Sequence, residues 1–308
     1  MQNAVSPGTL SDNEPALEVI PLKNNSLRVL IVVVTAIALA VFYGVITNEN
    51  FQWEIVWKYF FSAAVLKGLL NTISLTIIGM AIGMTVGLIL AFLRLSPSKF
   101  LAGCAAYYIW IFRGTPLLVQ IILLYNISIL YPTISIGIPF GPTFVTWDTN
   151  SVVTPFLAAI LALGLNEAAF MCEVIRGGLL SVDSGQTEAA QALGMRKGLI
   201  RRRIVIPQAM RSILPPTGNQ FISLMKATSM VSVIASYDLL YSVQTIYSRT
   251  FETIPLLLVA TIWYLVIVSL LMVVQVWIER RYSKGATRNQ PLQQSLISAL
   301  FKSKGAEA

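Results

Sequence analysis

The chain has 308 residues, of which 56% are hydrophobic and 12% charged, with a mean hydropathy of +0.71; soluble domains carry about 25% charged residues. This composition excludes a large soluble domain and indicates a membrane protein with several spans of about 20 residues each. The net charge of +8 gathers beside apolar stretches without any aromatic-interleaved binding module, which argues against nucleic acid as a partner, and the absence of histidine excludes a His-centred metal site or catalytic triad.

Residues 1–26 are polar, carry Asp12, Glu14 and Glu18 with Pro15 and Pro21, and read as a flexible cytoplasmic tail. Leu27 to Ile46 is long enough to cross a bilayer, too long for a signal-peptide core, and has no small-residue cleavage site behind it. Lys23 and Arg28 before it, against Asn48, Glu49 and Asn50 after it, place the N-terminus in the cytoplasm. Phe51 to Gly68 mixes Trp53, Trp57, Tyr59 and Phe60 with Glu54 and Lys58, which predicts a helix among the outer headgroups. A second span is expected from Leu69 to Leu93. Its Gly79, Gly83 and Gly87, four residues apart, predict a face packed closely on another helix.

The apolar region from Leu101 to Leu130 is broken by Arg113-Gly114-Thr115-Pro116. Thr before Pro is a helix-start signal, with the hydroxyl expected to cap free N–H groups. Phe100 to Phe112 therefore reads as lying along the inner surface, with the span proper starting near Thr115. Residues 131–150, rich in Pro and Gly and without Lys or Arg, read as an outer loop. Further spans are expected at Val153–Ile175, Ile213–Ala235 and Leu256–Ile278. This is an all-α integral membrane protein of about six spans with both ends inside, since every Lys/Arg cluster then falls on one side.

Between two of these spans lies a segment dense in Arg196, Lys197, Arg201, Arg202 and Arg203. Orientation alone accounts for such a basic block. Its flanks carry more: Ser184 to Leu193 suits a short helix, Gly194 permits a turn without a Cβ clash, and a second, basic helix runs through Ile204 until Pro207 limits it. Such a helix-turn-helix between spans has the shape to dock on a soluble partner. The costly intramembrane polar groups are the other candidates. Asn166 and Glu173 share a helix face, with Glu167 about 100° round from Asn166. Asn219, Ser223 and Lys226 recur at helical spacing before Thr228 and Ser229. The two stripes are placed to line a path for a zwitterion. Alternatively, Glu173 forms a structural pair with Arg176, and Lys226 satisfies nearby carbonyls or a carboxylate. Arg113 reads as an anchor at the inner surface. No Gly-x-x-x-x-Gly-Lys-Ser/Thr loop is present to cradle phosphate.

Glu188, Ala189, Ala190, then Gly194, Ile204, Ile206 and Pro207 match the EAA loop of the permease subunits of bacterial ABC importers, with Ile206 in place of Leu. The blocks at 113–120, 166–170, 173–178, 181–186, 207–211, 215–219 and 226–230 further resemble the polar amino acid branch of that family. Phe170 stands where Tyr is usual, Ala227 where Asp or Thr is common, and Met230 where Leu is. The resemblance implies a type I importer permease of MetI-like fold at 65–281. A first helix and interfacial helix at 27–64 and a cytoplasmic tail at 282–308 lie outside it. It implies a bacterial plasma membrane location and no cofactor on this chain, with ATP-Mg held by a separate ATPase. Its implied partners are a second permease, identical or related, two ATP-binding subunits, an extracytoplasmic binding protein and lipid; its substrate is a polar amino acid. Glu188, Ala189, Ala190, Gly194, Ile204 and Pro207 are then the ATPase contact. Weighed against this are a stand-alone ion-coupled transporter, which intramembrane Glu167, Glu173 and Lys226 would permit, and a membrane-embedded enzyme, which lacks an acid–base pair beside a nucleophile.

Overall fold

The computed structural model describes residues 25–138 and 143–282; the tail expected at 1–26 and the one at 282–308 lie almost wholly outside the described residues. The chain divides into two units after Phe51. The first holds α1 (Asn25–Thr47) and a 3-10 turn at Glu49–Phe51. The second begins with α2 (Trp53–Phe60) and α3 (Ala63–Arg94). The interfacial helix expected over 51–68 thus stops at Phe60. The Ser62 hydroxyl accepts from Val65 N at 3.5 Å and starts the long helix there, so residues 63–68 belong to the span.

α4 (Lys99–Gly114) and α5 (Leu117–Tyr125) meet at a bend of 100°, as the Thr-Pro break predicts. A one-turn helix, α6 (Ile127–Leu130), leads into an antiparallel hairpin of β1 (Thr133–Gly137) and β2 (Thr143–Asp148). This hairpin replaces the expected irregular loop. The alternation of β-branched and small polar residues in Thr-Ile-Ser-Ile-Gly and Thr-Phe-Val-Thr-Trp is the period-2 pattern that produces it, pairing Ile134 with Trp147 and Ile136 with Val145. After α7 (Thr149–Val152), α8 (Pro155–Leu180) starts on the Thr154 hydroxyl, which accepts from Leu157 N at 3.3 Å.

The core is the contact of α3 with α8. Gly79 faces Leu163, Gly83 faces Glu167 and Gly87 faces Met171, so each four-residue step along one helix is matched by four along the other. The two helices therefore run parallel, and the glycine face expected from sequence is the seam between them. α9 (Ser184–Ala192) and α10 (Lys197–Ile200) precede α11 (Ile206–Ala227), which runs antiparallel to the pair: Leu224 lies over Gly79, and Ile213 over Gly178. α11 passes into a 3-10 segment at Thr228–Ile234, then α12 (Leu239–Thr250) and α13 (Thr253–Tyr282). A second cluster of buried residues joins α2, the start of α3, α12 and α13, with Trp263 stacked on Phe60 at 4.7 Å and its Nε1 donating to the Phe60 carbonyl at 2.9 Å.

Among the described residues four helices are long and apolar enough to cross a membrane, or five when the bent α4–α5 pair counts as one span. The sixth expected span, Ile213–Ala235, is not among them. Asn219, Gln220 and Lys226 make α11 amphipathic, and the 3-10 stretch breaks the segment after Ala227.

Candidate functional site

The helix-turn-helix is built as its residues dictate. The Asp183 carboxylate accepts from Gly185 N at 2.7 Å and caps α9. Gly194 closes the helix at φ +74°, with its N–H donating to Gln191 O at 2.9 Å and Met195 N donating to Ala190 O at 3.1 Å. This is the pair of bonds by which a left-handed residue satisfies the last carbonyls of a helix. Ala190 and Ile200 turn inward and are buried, whereas Glu188, Ala189, Ala192 and Leu193 are exposed, Leu193 by 82%. The loop thus presents a small, largely uncharged knob, backed by the five exposed cations from Arg196 to Arg203. Pro207 does not end the basic helix as expected. A π-helical stretch over Arg201–Val205 carries α10 directly into α11, with Pro207 just after it, a place where irregular turns interrupt the regular bonding ladder and a proline is accommodated.

The intramembrane polar residues fall into separate groups. Asn166 Nδ2 donates to Phe112 O at 2.9 Å and to Gln120 Oε1 at 3.0 Å. Gln120 Nε2 in turn donates to Phe112 O, Thr115 O and Thr115 Oγ1 at 2.9, 3.2 and 2.7 Å. Two amides therefore satisfy the backbone carbonyls exposed by the α4–α5 bend. The Thr115 hydroxyl donates backward to Ile111 O at 2.8 Å and accepts from Gln120 instead of capping α5, whose N-cap position is Pro116. Tyr108 adds a bond from its hydroxyl to Leu165 O at 2.8 Å, and the Arg113 guanidinium lies 5.2 Å from the centre of the Phe170 ring.

Glu167 is 4% exposed, packs against Gly83, and keeps Oε1 buried without a hydrogen-bond partner. Glu173 pairs with Arg176 at 2.7 Å, the only ion pair among the described residues. Asn219 Oδ1 accepts from Gln275 Nε2 at 2.9 Å, and that amide also donates to Glu279. Lys226 is exposed; Thr228 is buried with its hydroxyl on Met225 O, and Ser229 donates to Lys226 O. The structure therefore joins Asn166 to the bend and leaves Glu167 and Glu173 apart from Lys226. Sequence reasoning missed Gln120, although a lone amide four residues after Pro116 in an apolar run was the available signal. It also missed the docking of α12 on α3, where Thr72 Oγ1 accepts from Leu239 N at 2.9 Å and Asn71 donates to Tyr237 O at 2.7 Å. Among the described residues no group of three metal-ligating side chains forms.

Residues 83–284, which contain the C-terminal third of α3 and all of α4 through α13, match the family described as the binding-protein-dependent transport system inner membrane component. The chain belongs to this family. It is similar to the arginine transport system permease protein ArgU of Corynebacterium glutamicum, with 39% identity over 97% of this chain and 93% of that one. It is also similar to a putative glutamine transport system permease protein GlnP of Rickettsia conorii, at 34% over 73% of this chain and 94% of the relative. The octopine transport system permease protein OccM of Rhizobium radiobacter matches at 35% over 77% and 95%. Among solved structures, an amino acid ABC transporter crystallised with histidines aligns at 36% identity with a TM-score of 0.60, covering 71% of this chain and 94% of that one. The inward-facing MetNI methionine ABC transporter, 17% identical with a TM-score of 0.58, shares the fold. As an inner membrane component of a binding-protein-dependent system, the chain is a transport subunit, and the fold expectation of a MetI-like permease holds.

Proposed function

We propose that this permease carries a polar amino acid or amino-acid derivative across the bacterial inner membrane, driven by ATP on a separate subunit and supplied by an external binding protein. The relatives named for arginine, glutamine and octopine transport support the amino acid class, and membership of a binding-protein-dependent family favours this reading over an ion-coupled transporter acting alone. The permease domain is residues 65–281, extended at its N-terminus by the helix and interfacial segment of 27–64. Both termini and the basic loop face the cytoplasm, because Arg94, Lys99, Arg113, Arg196–Arg203, Arg280 and Arg281 then share one side. A second permease completes the path and two ATPase subunits grip the EAA loops. Arg113 anchors the α4–α5 bend at the inner surface. Asn166, Glu167, Glu173, Asn219, Lys226, Thr228 and Ser229 line or frame the route, with Asn166 holding its bend and Glu173 held by Arg176.

The observation that carries this reading is the α9–Gly194–α10 knob: a short capped helix closed by a left-handed glycine and exposing Ala189, Ala192 and Leu193 for a partner. Closure of the ATPases displaces the knob, and the continuous α10–α11 helix carries that movement toward Asn219 and Lys226. The test is Gly194→Asp in the reconstituted complex, beside Gly194→Asn. An L residue at this φ costs roughly 1–2 kcal/mol, and a carboxylate adds charge to the docking face, whereas Asn visits the left-handed region readily. Gly194→Asp is expected to abolish uptake and binding-protein-stimulated ATPase activity with normal membrane insertion, and Gly194→Asn to retain a good part of both. Full coupling in the Asp variant would refute the role of the loop.

A further inference from the structure

At the end of the molecule opposite the basic loop, the start of α3 and the outer half of α12 enclose a pocket of about 420 Å³ lined by Ala64, Tyr237, Thr245, Ile246, Arg249 and Thr250. That volume is within the roughly 300–1,000 Å³ typical of small-molecule sites. Lys67, one turn along α3 from Ala64, sets its ammonium 5.8 Å from the centre of the Tyr237 ring, and the Tyr237 hydroxyl reaches the Ala64 carbonyl at 3.5 Å. The cleft thus has one cation in its wall, Arg249, and a second, Lys67, over the Tyr237 ring that borders it, both of them exposed. Neither has a carboxylate within ion-pair distance among the described residues; nearby Glu252 keeps Oε2 buried and unpartnered. The Thr245 and Thr250 hydroxyls are spent on the Ser242 and Ile246 carbonyls, so the donors left for a ligand are the Arg249 guanidinium and the Lys67 ammonium.

These charges lie on the side where membrane proteins are depleted of Lys and Arg. Lys67 also sits near the N-terminal end of α3, where the helix dipole disfavours a cation. Helix electrostatics favours a cation at Arg249, in the last turn of α12, but not at Lys67, and orientation accounts for neither. An arginine fork flanked by an ammonium, with Ala64, Ile246 and a tyrosine ring as the remaining wall, matches a carboxylate carried on a short aliphatic stem.

We propose that this pocket is an entry site that captures the α-carboxylate of the amino acid as the binding protein releases it. The inference rests on the proposed function, which gives this end of the molecule its outward orientation and its amino acid substrate. The side chain of the substrate projects away from the two cations, so the site reads the carboxylate and does not distinguish one amino acid from another.

The experiment uses the complete importer in proteoliposomes with radiolabelled arginine and, separately, glutamine as probes, at saturating binding protein. In Arg249→Gln, uptake per ATP hydrolysed is expected to fall by about tenfold or more, the loss of a charge-assisted hydrogen-bonded pair, with partial recovery in Arg249→Lys and a smaller fall in Lys67→Gln. The binding-protein concentration giving half-maximal ATPase stimulation should stay within about twofold of the parent, a change worth less than one surface ion pair. A rise in that concentration with uptake per ATP preserved identifies a docking contact for an acidic side chain of the binding protein and overturns the proposal. Unchanged values throughout also overturn it and leave two solvated surface cations. If the parent complex imports neither these probes nor any other amino acid or derivative with ATP, the proposed function fails first and takes this inference with it. Lys67 is exposed, so its variant remains readable should Arg249→Gln assemble poorly.

Discussion

The three glycines of the α3 seam look equivalent in sequence and are not equivalent in the structure, which makes a graded substitution series informative. A methyl group on Gly79 lies 3.5 Å from Leu163 Cβ and 3.5 Å from Leu224 Cδ2, ordinary van der Waals contact. On Gly87 it lies 2.8 Å from Met171 Cβ, 2.9 Å from the Ala168 carbonyl oxygen and 3.0 Å from Cys172 N. None of those atoms rotates away with a side chain. Restoring contacts of about 3.5–4.0 Å requires α3 and α8 to separate locally by roughly 0.5–1 Å, and each neighbouring contact pulled to that gap loses a quarter to a half of its attraction. Overpacking of this kind costs about 1–3 kcal/mol, and three backbone-level contacts place Gly87→Ala toward the upper end. Ala exceeds Gly in helix propensity by about 1 kcal/mol, which offsets part of the loss at Gly87 and is unopposed at Gly79. Gly87→Ala is therefore expected to be destabilised by about 1–2 kcal/mol, and Gly79→Ala to be neutral or more stable by up to about 1 kcal/mol. The assay is the temperature at which half of the purified protein in nanodiscs stops eluting as a monodisperse peak. Gly87→Ala surviving heat as well as Gly79→Ala would show that α3 and α8 do not approach as closely as described.

Two further substitutions probe how the elements are joined. Asn166→Ala and Gln120→Ala each remove donors from the carbonyls at the α4–α5 bend and are expected to cost about 1–3 kcal/mol singly. The double variant should depart clearly from the sum, because the bond between the two amides is lost in either single variant while Phe112 O is left without a side-chain donor only in the double; strict additivity in a thermal double-mutant cycle would show that they act independently. Thr72→Val keeps the side-chain shape but leaves Leu239 N without its buried acceptor, an expected loss of about 1–3 kcal/mol. It should appear as faster hydrogen exchange at the start of α12 with α8 unaffected, and equal protection of α12 in both proteins would discount the contact.

Much of the site was legible in the amino-acid order because it depends on local chemistry. The short helix from Ser184, the turn at Gly194 and the clustered arginines require only helix propensity, a left-handed turn and the positive-inside bias, whereas the Asp183 cap on α9 was missed. The Glu173–Arg176 pair is three residues apart on one helix and follows from spacing alone. The helical spacing of the polar stripes was legible, but their burial and partners were not: Asn166 and Glu167 are buried, whereas Asn219, Ser223 and Lys226 are exposed. Gln120, not Lys226 or a carboxylate, meets Asn166, since the α4–α5 bend swings that amide onto α8. The hairpin at residues 133–148 was overlooked because Pro and Gly density outweighed the short β-branched alternation inside it. Pro207 was taken as a stop, yet the π-helical turns before it accommodate it.

By itself the sequence determined the membrane class, the first span, the bend after Arg113, the short helix before Gly194 and the family, because each is written in composition or within a few consecutive residues. Only the tertiary structure decided that α3 and α8 run parallel, that Gly87 is backed closely by main chain where Gly79 is not, and that Arg249 and the Tyr237 ring beneath Lys67 wall one cleft. Those facts depend on which faces of distant helices meet, and residues such as Lys67 and Tyr237, far apart in the chain, are brought together by packing alone.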